Sequence, residues 1–213
     1  PHLDLHRGAE RAQDHVVDPR LDVAFGIALL DQRHLHAIRV GLHHAILPEA
    51  EEALDARGEG ARADALAAWQ WLAERQPQSR RYLFGHSLGG AIAVRLASEV
   101  TDDAGLLVEG TFTSIPDVVR TMRWGWLPVS PLITQRFDAA SRVQRIGVPL
   151  LVVHGSQDRL IPSELGRQLF EQARDPKRFL LVDGGTHHNT NAVGHDAYKT
   201  AVAELFGVKS PPQ

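Results

Sequence analysis

No cysteine occurs in the 213 residues, which excludes disulfide bonding and any thiolate nucleophile. Long apolar runs are missing as well. Nothing approaches the about 18 to 20 consecutive apolar residues of a membrane span, and no charged-then-apolar leader opens the chain as given. The expected setting is the cytoplasm. There is no excess of basic charge either: 23 Lys+Arg against 26 Asp+Glu leave a formal charge of -3, so nucleic acid is not the expected partner. A small molecule is. What is present, 43% hydrophobic and 23% charged residues over a length that fits one domain, is the composition of an ordinary globular protein with a sizeable core.

The most informative stretch is Tyr82-Leu83-Phe84-Gly85-His86-Ser87-Leu88-Gly89-Gly90. An apolar strand runs into a helix, with G-x-S-x-G at the junction. A turn this sharp brings backbone close on both sides of the serine, and Gly85, Gly89 and Gly90 supply the room. The amide of Leu88, at the positive end of the following helix, is positioned to donate to a developing oxyanion.

Strands and helices alternate from here on. Leu66, Trp69 and Leu72 recur at helical spacing through 64–75, and Pro77 stops that helix. Strands are expected at 80–84, 105–109, 149–153 and 178–182, with helices at 88–100, 163–173 and 191–206 between and after them. That order predicts a parallel sheet covered on both faces, with ligands outside the carboxyl ends of its strands. Three of those ends carry reactive residues: Ser87, then His154-Gly155-Ser156-Gln157-Asp158, then Asp183-Gly184-Gly185-Thr186-His187-His188. A serine hydroxyl needs an imidazole to take its proton, and the imidazole needs a carboxylate to fix its tautomer. Ser87, Asp158 and His187 are the candidates, with His188 the competing base. His154 and His86 read as packing or loop residues.

The stretches Phe84 to Gly90, Thr111-Phe112-Thr113-Ser114, Val148 to Gly155 with Asp158, and Gly184-Gly185-Thr186-His187 resemble the α/β-hydrolase superfamily. The likeness covers about residues 64–206 and points to the short-lid branch of serine aminopeptidases and monoacylglycerol lipases. It implies an α/β-hydrolase fold, a mainly parallel sheet with helices on both faces, with an atypical or incomplete first half. It also implies a serine hydrolase of carboxylic esters or related acyl bonds, working through an acyl-enzyme on Ser87 without a cofactor, with a lid at about 112–144. Met122, Trp124, Trp126, Pro128 and Pro131 suit an apolar cover over an acyl group. A hydrolase-derived binding module without useful turnover is the alternative, and an acyltransferase or haloperoxidase-like relative would use the same triad.

Residues 1–60 depart from that pattern. The His-Gly loop that supplies the second oxyanion donor in relatives is missing. Asp55-Ala56-Arg57-Gly58-Glu59-Gly60 resembles a later family motif but lies too close to the next helix. Only 23–30 and, more weakly, 37–42 read as strands, and Glu49 to Gly60 reads as a solvated loop. Seven of the twelve histidines fall here (His2, His6, His15, His34, His36, His43, His44), none at a recognisable metal-ligand spacing, so no metal site is expected among them. The segment is expected to be incompletely ordered and to leave the outer edge of the elbow strand short of partners.

Overall fold

The computed structural model describes residues 24–30, 35–41, 50–122 and 136–208. His2, His6, His15, His34, His43 and His44, and the lid residues Trp124, Trp126, Pro128 and Pro131, lie outside the described residues.

In chain order the elements are β1 (Ala24–Leu30), β2 (Leu35–Gly41), α1 (Ala50–Arg75), β3 (Arg80–His86), α2 (Leu88–Ala97), β4 (Asp103–Glu109), α3 (Ile115–Thr121), α4 (Ala140–Val143), β5 (Leu150–Gly155), α5 (Ser163–Gln172), β6 (Lys177–Val182), α6 (Thr190–Val193) and α7 (His195–Phe206). The strands form one sheet in the order β2-β1-β3-β4-β5-β6. From β3 to β6 every pairing is parallel, so the carboxyl ends of four strands open on one edge.

Alternation along the strands sorts the core into two layers. Leu83, Leu106, Val108, Leu150 and Val152 face α1, α2 and α5, packing against Trp69, Leu72, Val94, Leu96 and Leu169. Tyr82, Leu151, Val153 and Val182 face the other way, onto Tyr198, Ala201 and Phe206 of α7. Helix α2 is apolar nearly all round because it is covered on all sides, with eight of its residues buried.

Three expectations are corrected. The elbow strand is not short of partners: β1 lies along β3 from Phe25↔Gly85 to Leu30↔Arg80, antiparallel to it, and β2 in turn pairs with β1. The stretch read as a loop before Gly60 belongs to α1, which begins at Ala50. Glu51, Glu52, Ala53, Leu54 and Ala56 are strong helix formers, and their summed propensity carries the helix through Gly58 and Gly60. The single closing helix is in fact two, α6 and α7, divided at Gly194. A side chain there would stand 2.8 Å from both Val182 methyls, so a larger residue would force a shift against β6.

The expected lid is anchored in the core at both ends. Phe112, Val118, Ala139 and Val143 are all buried in the first layer. The Ile115 amide donates to Arg136 O at 2.9 Å, and the Ala139 and Ala140 amides donate to Thr113 O at 2.9 and 3.1 Å. The chain therefore leaves and returns at one point on the sheet edge.

At the opposite, amino end of β3 and β4, buried Arg81 pairs with Asp102 and lies over the Trp69 ring, whose Nε1–H also donates to Asp102 at 2.8 Å. The neighbouring Asp103 is buried, and its Oδ2 has no hydrogen-bond partner. Burial, helped by the adjacent Asp102 charge and only partly opposed by a backbone hydrogen bond, raises its pKa from 3.8 to about 6.

Two predictions follow from local geometry. Gly60 sits inside a helix with nothing within 4 Å of where a side chain would go, so Gly60→Ala should stabilise by about 1 kcal/mol. Urea unfolding would show a higher midpoint at unchanged slope. Asp103 binds its proton more tightly folded than unfolded, so its stabilising contribution is full below pH 3.8 and lost as pH rises through about 6. Asp103→Asn should remove that part of the decline, read as a smaller difference between urea midpoints at pH 4.5 and pH 7.

Candidate active site

Ser87 lies between β3 and α2 with φ 55 and ψ -125, outside the conformations ordinary residues favour. The surroundings hold the strain in place. Its amide donates to Glu109 O at 2.9 Å, its carbonyl accepts from Thr111 Oγ1 at 3.0 Å and from the Gly90 amide at 3.0 Å. Gly85 runs against the backbone of Gly89 and Gly90 so closely that any side chain would collide with it. Leu88 is the first residue of α2, where backbone N–H groups lack intrahelical partners.

Asp158 and His187 come from different loops, and the structure brings them into contact: His187 Nδ1 and Asp158 Oδ2 are 2.7 Å apart. The neighbouring His188 is exposed. The two loops are tied by backbone as well. The Ser156 amide donates to Val182 O at 2.9 Å and the Gln157 amide to Gly185 O at 2.8 Å. Ser156 Oγ accepts from the Gly184 amide at 2.9 Å and donates to Asp183 at 3.1 Å. Gly155 permits this, since a side chain on it would strike Gly185.

The Asp158 side chain is fully enclosed. Burial alone would push its pKa up, but bonds from His154, His187 and the Ile161 amide outweigh it and hold the carboxyl well below the usual range. Its Oδ1 accepts from the Leu160 and Ile161 amides, both at 2.9 Å. Its Oδ2 faces His187 at 2.7 Å and His154 Nε2 at 3.4 Å.

Two histidines read as packing residues thus belong to the site. His154 is wholly buried, and its Nε2–H donates to Ile161 O at 2.8 Å, inside the loop that carries Asp158. Its Nδ1 has no partner. His86 is buried beside the His187 ring, centroids 4.7 Å apart, and its Nε2–H donates to the His187 carbonyl at 2.7 Å. Glu109, which sequence reasoning did not single out, pairs in register with His86 and is buried at the end of β4. Burial raises its pKa, against the opposing charges of His86, His187 and His154 and the hydrogen bond that Tyr198 donates at 3.0 Å. The one sequence signal for these three was position, since each ends or adjoins the carboxyl end of a strand.

The serine aminopeptidase family, S33, matches residues 116–191. An uncharacterized protein of Mycobacterium tuberculosis is 34% identical over 133 residues, covering 62% of this chain and 47% of that protein. The lysophosphatidylserine lipase ABHD12 of Danio rerio is 28% identical over 134 residues, covering 55% and 35%. The chain therefore spans about half, or less, of the length of these relatives. Among solved structures, the Pyrococcus furiosus esterase Pf2001 superimposes with a TM-score of 0.56 at 21% identity, covering 68% of this chain and 60% of that one. The esterase domain of a Rhodothermus marinus protein gives 0.53 at 22%, covering 68% and 69%. Parallel sheet, serine turn and these matches together give the chain an α/β-hydrolase fold.

The His154 contacts generate a prediction. One hydrogen bond to a charged group contributes about 1.5–3 kcal/mol, so His154→Phe, which keeps the ring volume and loses the donor, should disturb the Asp158 carboxylate. Ester turnover should fall by roughly 10- to 100-fold, less than in Asp158→Asn. Unchanged turnover in a folded variant would make His154 a packing residue after all.

Proposed function

We propose that the chain is a serine hydrolase of carboxylic esters or related acyl bonds, with Ser87 as nucleophile, His187 as general base and acid, and Asp158 as orienting carboxylate. The observation that carries this is the 2.7 Å Asp158–His187 bond, made by the ring that lies over the residue next to Ser87's own anchor. A side chain on Gly110 would stand 3.2 Å from His187 Nδ1, and the preceding residue, Glu109, accepts the Ser87 amide.

In this reading Asp158 fixes the proton on Nδ1, which leaves Nε2 as the lone-pair nitrogen that takes the serine proton. Ser87 Oγ attacks the acyl carbon, and the developing oxyanion accepts from the Leu88 amide at the start of α2. The proton on Nε2 passes to the leaving alkoxide. Water, deprotonated by the same nitrogen, then releases the acid and restores the hydroxyl. His86 positions the base by holding its carbonyl, and His154 positions the carboxylate.

The relatives named as lipases make an ester the first bond to try, and a short-chain aryl ester is the substrate. The test is labelling with a fluorophosphonate followed by peptide mapping. The label is expected on Ser87, and Ser87→Ala should abolish both labelling and ester hydrolysis while the melting temperature stays within a few degrees. Asp158→Asn and His187→Ala should each lower acylation by several orders of magnitude without adding to one another. Labelling that survives Ser87→Ala would move the nucleophile to another residue, and an intact chain that never labels would leave the hydrolase-derived binding module as the better reading.

A further inference from the structure

His86, His187 and His188 converge: each offers one ring nitrogen, and the three nitrogens lie within 4.8 Å of one another. We propose that they form a site for a borderline transition-metal ion of the Zn2+ class, and that the ion, when bound, removes His187 from catalysis. The inhibition half of this rests on the role given to His187 above; the binding half does not.

The hydrogen bonds already present are those of metal-ligating imidazoles. A histidine ligand donates its second ring N–H to a carboxylate or a backbone carbonyl, which fixes the tautomer and leaves the other nitrogen with its lone pair outward. Both devices occur here. His187 Nδ1 is bound to Asp158, a carboxylate–imidazole pair, so Nε2 is the nitrogen that keeps its lone pair. His86 Nε2–H is donated to the His187 carbonyl, so its lone pair is on Nδ1. The rings stand 4.7 Å apart for His86 and His187 and 4.9 Å for His187 and His188. Buried Glu109, in register with His86, adds a carboxyl beneath the pair.

Zinc–imidazole bonds are about 2.0–2.1 Å long, so tetrahedral ligands stand about 3.4 Å apart, and the set must contract by about 1.4 Å. His188 is the exposed member of the set, and the other two are buried. Three nitrogen ligands leave a fourth position for water. An ion on Nε2 occupies the lone pair that the serine proton needs.

The test counts ions first and activity second. The histidines of residues 1–60 are a competing source of sites, so intact protein is compared with His188→Ala. Equilibrium dialysis against Zn2+, and Co2+ titration followed by its visible absorption, should show one equivalent fewer in the variant, or that equivalent weakened at least tenfold. Each form is then labelled with fluorophosphonate with and without Zn2+ and normalised to its own metal-free rate. Zn2+ should slow the native protein at least tenfold and the variant little. Equal stoichiometry and affinity in the two proteins would overturn the site. An ion lost with His188→Ala but without effect on labelling would overturn the inhibition alone. A chain that never labels would fail the hydrolase reading and leave the ion count to decide the site.

Discussion

A carboxylate enclosed by protein is costly unless its charge is answered, and the carboxyl-end edge of the sheet is organised around answering one. The Asp158 side chain has no exposed surface, yet its ionised form is favoured over the free residue's. Two amides of its own loop, the imidazole of His187 and the imidazole of His154 converge on its two oxygens. Removing any one partner leaves a buried charge underserved, which costs more than the contact itself contributes. That constraint fixes the loop after β5, and through Ser156 and Gly185 it fixes the loop after β6 as well.

The strain at Ser87 is the second half of the same design. A left-handed serine persists only where its neighbours over-determine it. Here the amide is held by the end of β4, the carbonyl by Thr111, and the approach of α2 is possible because Gly85 has no side chain. Both loops and the turn are thus referred to β4 and β5, the two central parallel strands. Geometry at the site is inherited from sheet register.

Much of this was legible from residue order alone. Alternating apolar runs gave the four parallel strands, because strands buried on both faces must be apolar throughout, and the glycines around Ser87 marked a turn that no other residue permits. Asp158 and His187 could be named from their positions after strands. Less legible was what depends on pairing between distant segments. Nothing in the first strand announces whether it runs with or against β3, and nothing in His86 or His154 announces a partner, since a buried histidine and a packing histidine look alike until the atom it donates to is known. The break at Gly194 was hidden because periodicity continues across it. Only the structure shows how closely Gly194 approaches Val182.

The excursion between Thr113 and Ala139 is pinned at its base by three backbone hydrogen bonds and four buried apolar residues. A loop whose ends are already held together can change length cheaply, because closing entropy grows only with the logarithm of the number of residues enclosed, about 0.6 kcal/mol per doubling. Substitution, lengthening or transplantation of whatever lies beyond that base need not disturb the sheet. Such a joint makes the segment beyond it the part of the chain freest to diverge while the sheet below stays as it was.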